Sequence, residues 1–136
     1  MITLRTHNVI DYVTATVLVL CPLIFGFSQI DAARNLFLVA GVLLAAYSLF
    51  TNYYFSIAKI IPVPVHMALD SAEGVLLMIA PSVFGYREQV TGGQYALHFV
   101  LGLGLIGLVA LTRTGRRDFL ITRDRSENLR SLDRAA

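Results

Sequence analysis

This sequence predicts an all-α integral-membrane protein, a four-helix bundle built from two parallel tandem repeats of a transmembrane helical hairpin. Three observations carry that expectation. The chain is 56% hydrophobic and only 15% charged, against about 25% charged residues in an ordinary soluble domain. The charges are also segregated, because seven of the eleven Lys and Arg and four of the nine Asp and Glu lie after residue 112. The first 112 residues keep four basic and five acidic side chains, too few to solvate a globular surface of that size. Finally, the chain repeats itself. His7-x-x-x-Asp11, Pro22 and Phe25-Gly26-Phe27 return as His66-x-x-x-Asp70, Pro81 and Phe84-Gly85-Tyr86, every matched position displaced by 59. An ungapped register that keeps His, Asp and Pro marks a duplication.

The apolar runs are Val9–Phe27, Leu36–Phe50 with an aromatic extension over Tyr53–Phe55, His66–Tyr86 and Tyr95–Thr112. At 1.5 Å per residue each is about 25–30 Å long, close to the hydrocarbon thickness of a bilayer. Thr6 stands where an N-cap for the first span is expected. That run ends in Phe-Gly-Phe instead of a small-residue cleavage site, so it reads as an uncleaved span and not a signal peptide. Pro22 and Pro81 fall in the last turns before Gly26 and Gly85, which suits a kink followed by a helix stop. Phe25, Phe27, Phe84 and Tyr86 are then expected at the outer headgroup level. The second spans also align, Gly41 with Gly102, Leu44 with Leu105 and Thr51 with Thr112, at an offset of 61 if Gly92-Gly93 is an inserted turn. Residues 1–112 form one transmembrane domain, with repeat 1 over about 7–58 and repeat 2 over about 66–112, and residues 113–136 form a basic tail.

An even number of spans puts both termini on one side. The tail holds Arg113, Arg116, Arg117, Arg123, Arg125, Arg130 and Arg134, and Arg5 and Lys59 lie on the same side. The opposite loops hold Arg34 and Arg87, each with an acid nearby. The positive-inside rule therefore predicts cytoplasmic N- and C-termini in a bacterial-type inner (plasma) membrane. The one cysteine, Cys21, excludes an internal disulfide. Charge confined to the tail speaks for topology, with the lipid bilayer as partner and no nucleic acid.

Helix periodicity places i, i+4 and i+7 on one face, which gives the stripes His7, Asp11, Thr14 and His66, Asp70, Glu73. Companions at the same depth are Tyr47, Ser48, Thr51 and Asn52 from the second span and Thr112 and Arg113 from the fourth. A carboxylate at that depth costs a few kcal/mol unless paired, hydrated or protonated, so it turns toward the bundle interior. The bland account makes these residues local His–Asp pairs, with Arg5, Lys59 and Arg113 as charge partners. Two sharper accounts compete with it, a proton or ion pathway and a divalent metal site (zinc, manganese or iron) drawn from His7, Asp11, His66, Asp70 and Glu73. The metal account requires the two stripes to converge. His98, near the outer end of the fourth span, reads as an interface residue. Glycines 102, 104 and 107 allow close helix contact or a protomer interface. No H-E-x-x-H or C-x-x-C is present, and Gly102-x-Gly104-x-x-Gly107, although it has the GxGxxG spacing, lies inside an apolar span with no Lys-Ser/Thr after it and forms no phosphate loop, so no catalytic residue and no cofactor is predicted.

A twice-repeated pair of spans, with Pro late in the first span of each pair, resembles the SPW-repeat family of small bacterial membrane proteins. The triplets Cys21-Pro22-Leu23 and Ala80-Pro81-Ser82 keep only the Pro of Ser-Pro-Trp, and the chain has no Trp. The resemblance implies two membrane hairpins and brings no activity or substrate with it. The functional expectation is a non-enzymatic structural or accessory membrane protein, acting as a homo-oligomer or beside a larger membrane complex. The alternative is a metal-binding or proton-pathway protein that uses the repeated His-x-x-x-Asp motifs.

Overall fold

The computed structural model describes residues 1–53 and 55–112. Arg113 and the rest of the expected tail lie outside the described residues. Four helices follow one another, α1 (Leu4–Ile24), α2 (Asp31–Phe50), α3 (Val63–Val83) and α4 (Gly92–Leu111). Each is long and apolar enough to cross a membrane, and the chain is a small multi-pass membrane protein.

The helix starts differ from the sequence expectation for local reasons. Thr3, not Thr6, caps α1, its side chain accepting the Thr6 N–H at 3.2 Å. The helix therefore begins before His7. α2 begins at Asp31, where an acid suits the positive helix end. It stops at Phe50, so Tyr53 and Phe55 belong to the loop and not to an aromatic extension. Gly92-Gly93 is not a turn but the first turn of α4, because Thr91 and Gln94 close a capping box just before it.

The hairpins close tightly. α1 packs along α2 and α3 along α4, while α2 also meets α3 between the repeats. A Cβ added to Gly41 would sit 2.7 Å from the Ala15 carbonyl, and one added to Gly74 2.6 Å from the Gly102 carbonyl. Among apolar lipid tails, such backbone approach is what holds two helices together.

Both first helices end in the same device. The Phe27 N–H donates to the Pro22 carbonyl and the Tyr86 N–H to the Pro81 carbonyl, each at 3.0 Å. Gly26 and Gly85 take φ of 71° and 69°, the left-handed conformation this helix stop requires. The reversal turns Phe27 and Tyr86 into the bundle, where both are buried, and leaves Phe25 and Phe84 about half exposed. The expected aromatic belt is thus corrected for Phe27 and Tyr86, which plug the core against Phe37 and His98. His98 is likewise not an interface residue. It is buried, its Nδ1–H donates to the Gln94 carbonyl at 2.7 Å, and its Nε2 accepts from the Tyr86 hydroxyl at 3.0 Å.

At the opposite end the repeats cross over. The Ile2 N–H donates to the Leu111 carbonyl and the Ile61 N–H to the Phe50 carbonyl, each at 2.8 Å. Ile2 thereby bridges Thr112, and Ile61 bridges Thr51. In repeat register these are one contact made twice, each from one repeat to the other. The structure therefore carries the pseudo-two-fold that the offsets of 59 and 61 describe.

Overpacking a tight helix contact costs about 1–3 kcal/mol. Gly74→Ala is expected to lower the thermal unfolding temperature in detergent, whereas Gly104→Ala, whose new Cβ meets nothing within 4 Å, is expected to leave it unchanged.

Candidate functional site

His7 and Asp11 lie one turn apart on α1, and His66 and Asp70 repeat the arrangement on α3. All four are fully buried. Both stripes face the same point between the two helices. The Nε2 of His7 is 3.1 Å from Oδ2 of Asp70 and 3.3 Å from Oδ1 of Asp11. The Nε2 of His66 is 3.2 Å from Oδ2 of Asp11 and 3.2 Å from Oδ2 of Asp70. One ligand atom from each residue can be chosen so that all four lie within 4.8 Å of one another.

The imidazoles are oriented from behind. Nδ1 of His7 meets Oγ1 of Thr112 at 2.7 Å, and Nδ1 of His66 meets Oγ1 of Thr51 at 2.8 Å. Each Thr hydroxyl already donates its proton to a carbonyl one turn back, Leu108 for Thr112 and Tyr47 for Thr51, both at 2.6 Å. A hydroxyl has one proton to give, so each His must donate from Nδ1. That assignment aims both Nε2 atoms at the carboxylates. A hydrogen bond on one ring nitrogen that leaves the other aimed at the ion is how a metal-binding imidazole is usually held.

Charge-assisted N–H···O bonds run about 2.7–2.9 Å, and all four separations here are longer. Each Nε2 has one oxygen in hydrogen-bond geometry, Oδ2 of Asp70 for His7 at 3.1 Å and Oδ2 of Asp11 for His66 at 3.2 Å, and a second oxygen at 3.3 Å and 3.2 Å outside it. Around a tetrahedral ion with bonds near 2.0–2.1 Å, neighbouring ligand atoms stand about 3.3–3.4 Å apart; here the four nitrogen–oxygen separations are 3.1–3.3 Å, while a set with one atom from each residue lies within 4.8 Å. Asp11 Oδ1, moreover, is buried with no hydrogen-bond partner among the described residues.

Two tyrosines border the cluster. The Tyr47 hydroxyl lies 2.7 Å from Oδ1 of Asp70 and 3.1 Å from Oε2 of Glu73. The Tyr53 ring sits 4.7 Å from that of His66 and 5.8 Å from that of His7, covering the imidazoles from the loop side. Burial, then the Asp11 and Asp70 charges, push the Tyr53 phenol well above its ordinary range, so it stays a neutral hydroxyl. Phe55 fastens the loop to α1, its N–H donating to Oδ1 of Asn8 at 3.3 Å and its carbonyl accepting from Tyr12 at 3.1 Å.

The other residues singled out in the sequence fall differently. Glu73 is half-buried and, among the described residues, is linked to the cluster by hydrogen bonding through Tyr47. Thr14, on the same face as Asp11, makes no hydrogen bond to the cluster among the described residues. Asn52 is exposed and pairs through its backbone with Ile61, so it is not part of the site. Arg113 lies outside the described residues. Lys59 is exposed and Arg5 stacks its guanidinium over Phe55 at 5.4 Å. Asp11 and Asp70 instead take the imidazoles as partners. Sequence reasoning missed Asn8 and the capping role of Tyr53. A polar residue beside His7 was a signal for the first, while nothing local marked the second.

The family model described as SPW repeat domain matches residues 5–113. The chain belongs to the SPW repeat family. The matched region takes in both hairpins. No curated protein and no solved structure matches the chain.

Leaving a buried imidazole N–H without its acceptor costs about 1–3 kcal/mol. Thr51→Val and Thr112→Val are each expected to lower stability by that amount and to a similar degree, because they occupy equivalent places. Thr14→Val, measured by the same thermal unfolding, should change little.

Proposed function

We propose that this SPW-repeat protein is a metal-binding membrane protein that holds one divalent transition-metal ion between His7, Asp11, His66 and Asp70. The observation that supports it best is the convergence of two oriented Nε2 atoms and two carboxylates on one buried point. Local structural pairs would need no such meeting. Two neutral imidazoles, two carboxylates and a divalent ion sum to zero charge, the condition under which ionisable groups rest cheaply inside a bilayer. Imidazole and carboxylate ligands without thiolate suit zinc, iron or manganese. No catalytic step is assigned to the chain.

The positive residues of the tail favour cytoplasmic termini and a bacterial-type inner membrane. In that orientation the centre lies near the cytoplasmic face. Assembly with a second copy or a larger membrane complex belongs to the same reading, since Gly104 and Gly107 have open space around them on α4.

Metal and protons compete for this site. An imidazole nitrogen must be free of its proton before it can bind a cation. Protein purified in detergent without chelator is expected to hold about one ion per chain. His66→Ala and Asp70→Asn should each reduce that to below about a tenth. Uptake should weaken as pH falls. Substoichiometric metal in the wild type, unaffected by either substitution, would leave the purely structural reading in place.

A further inference from the structure

The two halves of the centre are not equal, and the inequality lies in one side chain. Asp70 meets both imidazoles with the same oxygen, Oδ2. Its other oxygen, Oδ1, is taken by the Tyr47 hydroxyl at 2.7 Å. Asp11 instead turns one oxygen to each imidazole, Oδ1 toward His7 and Oδ2 toward His66. Its Oδ1 is buried and has no hydrogen-bond partner among the described residues. The residue that occupies the place of Tyr47 in the second repeat, 61 positions on, is Leu108. The carbonyls of Tyr47 and Leu108 accept from Thr51 and Thr112 in the same way. The backbone is therefore matched, and only the side chain differs. Leucine can offer Asp11 no hydroxyl.

We infer that Tyr47 is a positioning residue that fixes Asp70 as the permanent one-oxygen arm of the centre and leaves Asp11 as the arm that lets the cation on and off. The inference rests on the metal-binding reading above. A carboxylate with its second oxygen hydrogen-bonded is held in one rotamer and cannot swing to chelate with both oxygens or turn away. A carboxylate without that restraint can do either. Tyr47 has one hydroxyl proton, and the shorter contact, to Asp70, receives it while the hydroxyl oxygen faces Glu73 at 3.1 Å. Loading and release at a buried site need one ligand that moves while the others hold, and Asp11 is the carboxylate whose second oxygen has no hydrogen bond among the described residues.

Cobalt(II) is the probe, because its visible absorption reports coordination number. Tyr47→Phe, which removes one oxygen atom, is expected to bind one Co(II) per chain with an altered visible spectrum. It should surrender the ion to excess EDTA at least about tenfold faster than wild type. Tyr53→Phe, which removes a hydroxyl from the neighbouring ring that contacts no carboxylate, should keep the wild-type spectrum. A second pair of variants does not depend on Tyr47. Asp11→Glu should retain Co(II) because a free arm absorbs an added methylene, whereas Asp70→Glu should bind at least about tenfold more weakly. A Tyr47→Phe spectrum identical to wild type with release within about twofold, or equal behaviour of the two Glu variants, would overturn the assignment. If the wild type takes up no Co(II) at all, the metal reading itself falls and this inference falls with it.

Discussion

A carboxylate that cannot reach water must be neutralised by its own protein, and this chain buries two of them side by side. In a bilayer the cost of an unpaired acid is a few kcal/mol or more, too large for a small bundle to carry twice. Asp11 and Asp70 therefore dictate that α1 and α3 approach at this end and that both imidazoles turn inward. The imidazoles in turn require acceptors behind them, which Thr51 and Thr112 provide from the ends of α2 and α4. Each of those bonds runs from one repeat to the other. One electrostatic requirement thus ties all four helices together at a single level.

The duplication makes this economical. A hairpin that carried one His, one Asp and one Thr would leave each of them half satisfied. Two copies around a pseudo-two-fold complete one another, and the Ile2–Thr112 and Ile61–Thr51 bridges repeat the exchange in the backbone. The other end of the bundle is built on the opposite principle. There Phe27, Phe37 and Tyr86 fill the axis, and His98 is satisfied internally by Tyr86 and the Gln94 carbonyl. Phe37 and His98 occupy equivalent positions, and the imidazole stands in the repeat whose Tyr86 hydroxyl bonds it.

Much of this was legible in the residues. Four spans, the tandem repeat and the inward-facing His–Asp stripes follow from composition and periodicity, because bilayer burial of polar groups is a strong and local constraint. Helix limits were less legible. Thr3 outcompeted Thr6 as a cap, and the Thr91–Gln94 box turned a Gly-Gly pair into a helix start, both decided by side-chain bonds that periodicity does not register. The direction of Phe27 and Tyr86 depended on left-handed glycines one residue earlier. The exclusion of Asn52 and the capping by Tyr53 depended on how the loop folds back. No spacing rule reaches that far. Convergence of the two stripes, which a shared ligand site requires, depended on which helices touch.

The proposed cation centre draws ligands from both repeats. X-ray absorption at the zinc edge of the zinc-loaded protein tests it most directly. The expected result is a first shell of about four nitrogen and oxygen atoms near 2.0–2.1 Å, with the multiple-scattering pattern of two imidazoles. A shell without imidazole scattering, or a hydrated ion with six oxygen neighbours, would contradict it.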